Sequence, residues 1–267
     1  MRAAVIQMTS VDDLAANLAA AHALVAEAAA REAELIALPE NFAFLRREGQ
    51  PVPCAQSLDG EIVERLRGWA RTHRVWLVGG SFAERIPGDA RTYNTCVCCT
   101  PGGEIAAVYR KIHLFDVDLR ASGGAVYAES AAVAPGAELA LADTPFGPVG
   151  LSICYDLRFH ELYRALAARG ARILTVPSAF TPQTGKDHWE VLLRARAIEN
   201  LAFVLAPAQC GRHNESRSSH GRSMIVDPWG VVIAQAADAP CVVVADCPGE
   251  RQERVRASLP ALSHRRL

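Results

Sequence analysis

The sequence predicts an α/β protein: a four-layer α-β-β-α sandwich, with two packed sheets inside and helices outside. Three observations predict it. Short apolar strands alternate with amphipathic helices, two such helices lie in each half of the chain, and hairpin signals lie between them. We expect one domain over 1–267, with 249–267 as a C-terminal tail. A doubly wound single sheet is the alternative, but QMTSVDD follows the first strand where that fold has a glycine fingerprint.

The first half predicts strands on either side of two helices, and then a hairpin. Ser10 and Asp13 are expected to form a capping box for the first helix, whose apolar residues recur at spacings of three and four. The PGG at 101–103 is a strong hairpin signal. The predicted elements are a strand at 3–8, a helix from Leu14 to Ala28, strands at 34–40 and 74–84, a helix at 61–72, and hairpin strands at 92–100 and 104–111.

The second half repeats the pattern after a loop predicted at about 114–137. Gly170 is expected to close the helix that follows the strand PVGLSIC. The C-terminal part predicts a closing hairpin and an edge strand. The predicted elements are strands at 148–154, 172–180 and 201–209, helices at 159–170 and 187–200, the hairpin 223–235 and the edge strand 241–247.

Composition argues against several functional classes. The chain is 50% hydrophobic and 21% charged with a formal net charge of -1, which gives no electrostatic basis for binding nucleic acid or an anionic membrane. It contains no apolar run of about 18 residues. The N-terminus is typical of a first strand rather than a signal peptide, so we predict a cytoplasmic protein.

Eight cysteines raise the question of disulfides or metal. A long chain without an export signal does not predict a disulfide framework. The CVCC segment is dense enough to suggest zinc, but it lacks the usual spacers and a second ligand pair. We therefore predict buried free cysteines, with Cys96 and Cys98 on one face of a strand.

A carboxylate, an ammonium group and a thiol stand at the ends of three apolar strands. Glu40 ends LIALPE, Lys111 ends AAVYRK and Cys154 ends GLSIC. Functional sites gather at the carboxyl ends of strands in α/β folds, so these three residues form a candidate site. Taken singly, Glu40 also fits a carboxylate at a helix start, Lys111 a solvated residue at a strand end, and Cys154 a core cysteine.

These groups suit amide hydrolysis. A thiol needs a base at neutral pH, and Glu40 can take the proton and return it to the departing amine. The ammonium of Lys111 and the backbone N–H of Tyr155 are candidates for stabilising the oxyanion. Burial disfavours the charge on Lys111, and a neighbouring acid opposes that effect.

The segments LPEN, YRKIHLFD and SICYDLRFHEL resemble the three signature blocks of the nitrilase superfamily of carbon–nitrogen hydrolases, in the family's order and spacing. The resemblance covers essentially the whole chain. It implies the four-layer sandwich, a Glu40-Lys111-Cys154 triad, an acyl-thioenzyme intermediate, no metal or cofactor, and a homodimer packed through helices. It also implies a supporting glutamate, for which YAESAAVAPG nominates Glu129; a solvated loop acid is the alternative. At His160 the family usually has proline.

Two further segments indicate which amide is the substrate. PSAFTPQTGKDHWEVLLRARAIEN and AQCGRHNESRSSHGRSMIVDPWG resemble the branch that hydrolyses deaminated glutathione to 2-oxoglutarate and cysteinylglycine. An ω-amidase acting on 2-oxoglutaramate and an N-carbamoyl-amino-acid hydrolase are alternative enzymes. A catalytically silent scaffold and a redox sensor at Cys154 are alternatives of other classes.

A substrate with two carboxylates needs cations or oriented N–H groups. Arg212 and His213, in a Gly-led loop, are the predicted anion-binding residues. For Arg158 we favour an ion pair with Asp156 or Glu161, and for Arg194 and Arg196 helix-face pairs with Glu190 and Glu199. Tyr155, Phe180 and Thr181 are predicted to wall the pocket.

Overall fold

A computed structural model describes residues 1–266, with only the backbone described at Ser122. In these residues the helices are α1 (Leu14–Ala30), α2 (Glu61–His73), α3 (His160–Ala168), α4 (Pro182–Asn200) and α5 (Gly249–Ser258). The strands are β1 (Arg2–Gln7), β2 (Leu35–Ala37), β3 (Trp76–Val78), β4 (Phe82–Arg85), β5 (Thr92–Cys99), β6 (Ile105–Arg110), β7 (Asp116–Asp118), β8 (Val126–Ala128), β9 (Leu141–Ala142), β10 (Val149–Leu151), β11 (Ile173–Thr175), β12 (Phe203–Ala206), β13 (Cys210–Arg212), β14 (Ser218–His220), β15 (Met224–Val226), β16 (Val232–Gln235) and β17 (Cys241–Asp246).

Two mixed sheets form the centre of the fold. The first has the order β17-β1-β2-β3-β5-β4, with β6 also paired to β5, and the second has the order β16-β15-β12-β11-β10-β9. In each sheet three consecutive strands run parallel: β1, β2 and β3 in the first, and β10, β11 and β12 in the second. The predicted hairpins β5–β6 and β15–β16 and the edge strand β17 are confirmed.

The alternation of side chains along β1 shows how the layers pack. Ala3 and Val5 face the core between the sheets, together with Leu151 of the second sheet. Ala4 and Ile6 face the opposite way, into the core beneath α1 and α2. On the second sheet, α3 and α4 pack against the outer face. Both faces of the central strands are therefore buried, and the predicted four-layer sandwich is confirmed.

The cysteine-rich strand β5 follows the same alternation. Cys96 and Cys98 lie in the core between the sheets, as predicted, while Val97 and Cys99 face α2. No group of three or more His, Cys, Asp or Glu side chains in residues 1–266 is arranged to hold a metal ion. Within the same range no helix has the length and apolarity needed to cross a bilayer.

The structure corrects four predicted local features. Asp13 alone caps α1, accepting from the Ala16 N–H at 3.0 Å, whereas the Ser10 hydroxyl is buried and donates to the carbonyl of Phe42. The predicted strand 74–84 is two strands, since the chain turns at Gly80 with φ +55°. The loop 114–137 contains the small hairpin β7–β8. Helix α4 begins five residues before the predicted 187 because Thr181 caps it and Pro182 takes its first position.

The segment after β17 begins with a helix that packs on the second sheet. In α5, the Gln252 side-chain amide donates to the carbonyls of Arg172 and Leu201 at 2.8 and 2.9 Å. Gln252 and Val255 are buried. The first ten residues of the predicted tail are thus ordered by hydrogen bonds to two loops of the second sheet.

Candidate active site

The three predicted strand-end residues meet in one buried cluster. Lys111 Nζ lies 3.0 Å from Glu40 Oε1, and both side chains are almost fully buried. Cys154 lines the same cavity as Glu40 and Lys111, and both charged groups act on the pKa of its thiol. Glu40 and Lys111 come from the first sheet and Cys154 from the second, so the cluster lies where the two sheets meet.

The Glu40 carboxylate is held by donors on both oxygens. Oε1 accepts from Lys111 and from the Asn94 side-chain amide at 2.9 Å, and Oε2 accepts from the Ala179 N–H at 2.9 Å. The Gln209 side-chain amide also donates to the Glu40 carbonyl at 2.9 Å. These bonds fix the position of the carboxylate in the cluster.

Glu129 lies directly against Lys111, where the sequence predicted a supporting acid. Lys111 Nζ is 2.9 and 3.1 Å from its two oxygens, and the Phe115 N–H donates to Oε2 at 2.7 Å. Burial alone would lower the pKa of Lys111, but the carboxylates of Glu129 and Glu40 outweigh it and hold that pKa well above its ordinary value. Burial would raise the pKa of Glu129, but Lys111 and the hydrogen bonds from the Phe115 N–H and the Asn94 amide together outweigh burial and lower that pKa.

Cys154 sits at a tight turn from β10 into a short 3₁₀ helix over Cys154–Arg158. Its φ of +51° is left-handed, a conformation that costs a non-glycine residue about 1–2 kcal/mol. The Cys154 N–H donates to the carbonyl of Pro177 at 2.9 Å, which anchors the turn to the strand end of β11. The surrounding contacts therefore hold the nucleophile in a strained but defined position.

A buried aspartate links this turn to the segment that carries Lys111. Asp156 accepts from the Ile153 N–H at 2.8 Å and from the Tyr109 hydroxyl at 2.7 Å. It also contacts the backbone N–H and Nδ1 of His113, at 3.0 and 2.7 Å. Tyr109 and His113 flank Lys111 by two residues on either side, so Asp156 fixes Cys154 and Lys111 relative to each other.

The Cys154 thiol is protonated in this environment. Burial raises its pKa well above the ordinary value, and the nearby Glu40 carboxylate raises it further, while Lys111 and the Ala179 N–H act in the opposite direction. A resting thiol with a carboxylate beside it has the arrangement needed for proton transfer at the moment of attack.

A cavity that is partly open to solvent leads to the cluster. Tyr155, Phe180 and Thr181 line it, as predicted, together with Arg158. The Arg158 guanidinium lies 5.5 Å from the ring centre of Phe180 and 5.7 Å from that of Tyr155.

The predicted ion pair of Arg158 is wrong. Asp156 is hydrogen-bonded to Tyr109 and His113, and Glu161 pairs with the exposed His160 at 3.4 Å. The only side-chain hydrogen bond of Arg158 among residues 1–266 is to His188 Nδ1, at 3.3 Å. Arg158 therefore presents a guanidinium to the cavity without a carboxylate partner.

The structure also corrects Arg212 and His213, neither of which lines the cavity. Arg212 is exposed on β13 and donates to the Asn214 carbonyl. His213 is buried between the Ser10 carbonyl and the Ser219 hydroxyl, and burial lowers its pKa to about 4, so it is neutral and cannot attract a carboxylate. Arg217, five residues after Arg212 in the same loop, lines the cavity instead.

The predicted pairs on α4 are confirmed. Arg194 pairs with Glu190 at 3.5 Å and Arg196 with Glu199 at 2.8 Å. Arg196 is also buried and donates twice to the Leu157 carbonyl, at 2.8 and 3.0 Å, which supports the turn after Cys154. These two arginines belong to the scaffold rather than to the cavity wall.

Sequence reasoning missed four residues of the site. Asn94 bridges the two glutamates, donating to Glu129 at 3.4 Å as well as to Glu40. Its only local signal is a polar side chain in the otherwise core-like run of β5. Arg46, Glu48 and Arg217 line the cavity from two loops that carry no periodic pattern.

Comparison with known proteins supports the same chemistry. Residues 2–257 match the family model described as carbon-nitrogen hydrolase. A deaminated glutathione amidase from Synechocystis sp. is 45% identical over 98% of this chain and 97% of its own length. The deaminated glutathione amidase of Homo sapiens is 43% identical, over 98% of this chain and 81% of its own.

A solved structure shares the fold over the full length. The Saccharomyces cerevisiae protein Nit3, described as a member of branch 10 of the nitrilase superfamily, superposes with a TM-score of 0.88 at 28% identity, covering 100% of this chain and 97% of that one. The chain therefore belongs to the carbon-nitrogen hydrolase family of the nitrilase superfamily and is a hydrolase of amide carbon–nitrogen bonds.

Proposed function

We propose that this hydrolase cleaves the γ-amide bond of deaminated glutathione, giving 2-oxoglutarate and cysteinylglycine, with Glu40, Lys111 and Cys154 as catalytic residues and Glu129 in support. The observation that carries the proposal is the convergence of a buried thiol, carboxylate and ammonium at the end of a cavity that Arg46 and Arg158 also line. Full-length relatives that are named for this substrate support the choice.

Acylation begins when Glu40 removes the Cys154 proton as the sulfur attacks the amide carbon. The carbonyl oxygen becomes an oxyanion, which the Lys111 ammonium and the Tyr155 N–H stabilise. The carbon–nitrogen bond then breaks, and Glu40 returns its proton to the departing amine. Cysteinylglycine leaves, and the 2-oxoglutaryl group remains as a thioester on Cys154.

Deacylation repeats these roles with water. Glu40 takes a proton from water as its oxygen adds to the thioester carbon, and the same donors stabilise the second oxyanion. The carbon–sulfur bond breaks, 2-oxoglutarate leaves, and Glu40 returns the proton to the thiolate. Glu129 keeps Lys111 charged and in place through both halves of the reaction.

The charges of the cavity favour a 2-oxo acid over the corresponding amino acid. Arg158 is positioned to pair with the carboxylate of the 2-oxoglutaryl end. The carboxylates that line the cavity in residues 1–266 are already paired: Glu40 and Glu129 with Lys111, and Glu48 with Arg217. Four cationic side chains and these three carboxylates line the cavity, so its charge disfavours an α-ammonium group but not a neutral keto group.

Product analysis tests the proposal. Wild-type protein incubated with deaminated glutathione should release equal amounts of 2-oxoglutarate and cysteinylglycine, and mass spectrometry of quenched enzyme should detect a 2-oxoglutaryl adduct on Cys154. Cys154→Ala should release neither product while keeping the wild-type circular dichroism spectrum. Ammonia release from 2-oxoglutaramate without cleavage of the tripeptide analogue would instead establish an ω-amidase.

We further propose a cytoplasmic homodimer. The proposed nucleophile Cys154 acts as a free thiol, which suits a reducing compartment. Large apolar side chains are exposed on the second-sheet side of the molecule, including Trp229 at 53% and Ile198 at 45%. They lie close together, because Arg194 of α4 donates to the Gly230 carbonyl. An apolar patch of this kind is typical of an interface between copies.

Sedimentation equilibrium tests the dimer. The wild-type protein should sediment at twice the mass of one chain, and Trp229→Glu should shift it toward one chain by placing a charge in the buried interface. The matched control is Trp76→Phe, in β3 of the first sheet, which should leave the mass unchanged. A wild-type protein with the mass of one chain at micromolar concentration would contradict the dimer.

A further inference from the structure

The cations that line the cavity fall into two groups. Lys111 pairs with Glu40 and Glu129, and Arg217 lies 3.8 Å from Glu48. Arg46 and Arg158 have no carboxylate within ion-pair distance in the part of the chain that the structure describes. Both side chains are only partly buried, and a guanidinium group without an ion-pair partner is suited to bind a carboxylate, so Arg46 and Arg158 at one cavity indicate a ligand with two anionic ends.

Arg46 lies on the loop that follows Glu40, and hydrogen bonds to both its side chain and its backbone hold it at the cavity. Its Nη1 donates to the Gln50 carbonyl at 2.8 Å, which closes a turn, and its carbonyl accepts from Arg217 Nη1 at 3.5 Å. The Glu48 N–H donates to the Ser216 hydroxyl at 3.4 Å. Two loops distant in sequence therefore fix Arg46, while Glu48 and Arg217 neutralise each other.

The electrostatic surroundings place Arg46 beside the reaction centre but outside it. Burial lowers its pKa most, Glu48 and Glu129 oppose that effect, and Arg217 adds to it. Arg46 lines the same cavity as Glu129, which touches Lys111. Arg158 reaches the cavity from the other sheet, against Phe180 and Tyr155. The two unpaired guanidinium groups are thus separate anion sites reached from different elements.

From this arrangement we infer that Arg46 binds the C-terminal carboxylate of the departing dipeptide, and so selects amides whose leaving group is an anionic peptide over primary amides. The inference rests on the proposed function, which places the acyl-end carboxylate at Arg158. Glu48 and Arg217 have partly exposed side chains, 28% and 20%, so this part of the wall opens toward solvent. A leaving group that ends in its own carboxylate needs that open side, and a guanidinium binds a carboxylate through two parallel hydrogen bonds.

The chemistry predicts which kinetic constant responds. The dipeptide carboxylate is remote from the bond that breaks, so its contact with Arg46 is the same in the ground state and the transition state. Removal of such a contact raises KM and leaves kcat nearly constant. A purely structural defect in the loop would instead move Glu40, which begins the same segment, and would lower kcat for every amide.

Paired changes on the enzyme and the substrate test the inference. The substrates are deaminated glutathione and its C-terminal carboxamide, which lacks only the dipeptide carboxylate. Wild-type enzyme should prefer the free acid, and Arg46→Gln should lower kcat/KM for it by about 10- to 100-fold, mainly through KM, while the carboxamide changes far less. Arg46→Lys should give an intermediate preference. Arg47→Gln is the matched control, since Arg47 is the next residue, exposed and paired with Asp12.

Two results would overturn the inference, and they are distinguishable. If Arg46→Gln lowers turnover of the acid and the carboxamide by the same factor, or changes neither, Arg46 does not bind that carboxylate although the proposed function stands. If wild-type enzyme cleaves neither substrate, the proposed function fails and the inference falls with it. Arg46→Lys keeps the test valid should Arg46→Gln fold poorly.

Discussion

Glu40→Gln should lower kcat/KM for the amide substrate by about 10³-fold while the protein remains folded. A positioned general base and acid contributes about 10²- to 10⁴-fold, and in the proposed reaction Glu40 serves in both acylation and deacylation. Glutamine keeps the shape of the side chain and one acceptor oxygen, so the Ala179 N–H retains a partner. Its amide cannot accept a proton from Cys154, and the thiol loses its base.

Alkylation of Cys154 distinguishes a variant that has lost only its general base from one whose active site has collapsed. The Glu40 carboxylate raises the pKa of Cys154, so neutralising it should lower that pKa and move the pH midpoint of iodoacetamide alkylation to lower pH. Hydrolysis should fall while alkylation at neutral pH persists or becomes faster. A lost amidase activity accompanied by an unreactive thiol would mean that the pocket had collapsed.

The matched control is Glu84→Gln. Glu84 is also a buried carboxylate of the first sheet, paired with Arg110 and accepting from the Thr95 hydroxyl at 2.7 Å, but it does not line the cavity. Both substitutions remove the charge of a buried, hydrogen-bonded carboxylate and should lower stability, Glu84→Gln by less because the Arg110 side chain is 40% exposed. Only Glu40→Gln should abolish turnover. Equal loss of activity in the two variants would contradict the role of Glu40 as the base.

The residues at strand ends were predictable because local rules place them. Apolar runs define β2, β6 and β10. The polar residue that follows each run must lie near the carboxyl end of that strand. That rule made Glu40, Lys111 and Cys154 candidates, and the resemblance to the nitrilase superfamily implied the same three residues. The period-two alternation likewise predicted that Cys96 and Cys98 share one core, which the structure bears out.

The missed features depend on contacts between residues distant in sequence. Ser10 fits a capping box locally, but Gln209, 199 residues away, accepts from its N–H and donates to its hydroxyl. The strand 74–84 breaks at Gly80 because a Cβ there would lie 2.1 Å from the Pro39 carbonyl oxygen. Only glycine permits that approach, and Pro39 immediately precedes Glu40. The turn at Gly80 is thus part of how the base is positioned.

The same reason explains why the predicted anion-binding residues were wrong. Arg212 and Arg217 belong to one loop with no periodic pattern, and nothing in their local sequence distinguishes them. The pairing of β13 with β14 leaves Arg212 exposed and brings Arg217, in the turn between these strands, into contact with Glu48. Which arginine meets the cavity is decided by that tertiary contact.

Lys111→Met should have the largest combined effect, lowering turnover by at least about 10³-fold and the free energy of unfolding by about 3–5 kcal/mol. Loss of an oxyanion donor alone costs about 10²- to 10³-fold, and the variant also misplaces the base. Removing one partner of a buried ion pair leaves uncompensated charge, and here two carboxylates, Glu40 and Glu129, lose their shared cation. Urea denaturation and steady-state kinetics measure the two effects separately.

A second substitution distinguishes the electrostatic cause from a packing defect. Methionine matches the length and volume of the lysine stem, so the destabilisation of Lys111→Met should come mainly from repulsion between the two acids. The double variant Lys111→Met/Glu129→Gln should then recover part of the lost stability, giving a coupling energy of about 1–3 kcal/mol, without recovering activity. Strictly additive stabilities would show that Lys111 does not hold these carboxylates together, and recovered turnover would show that catalysis does not need the ammonium.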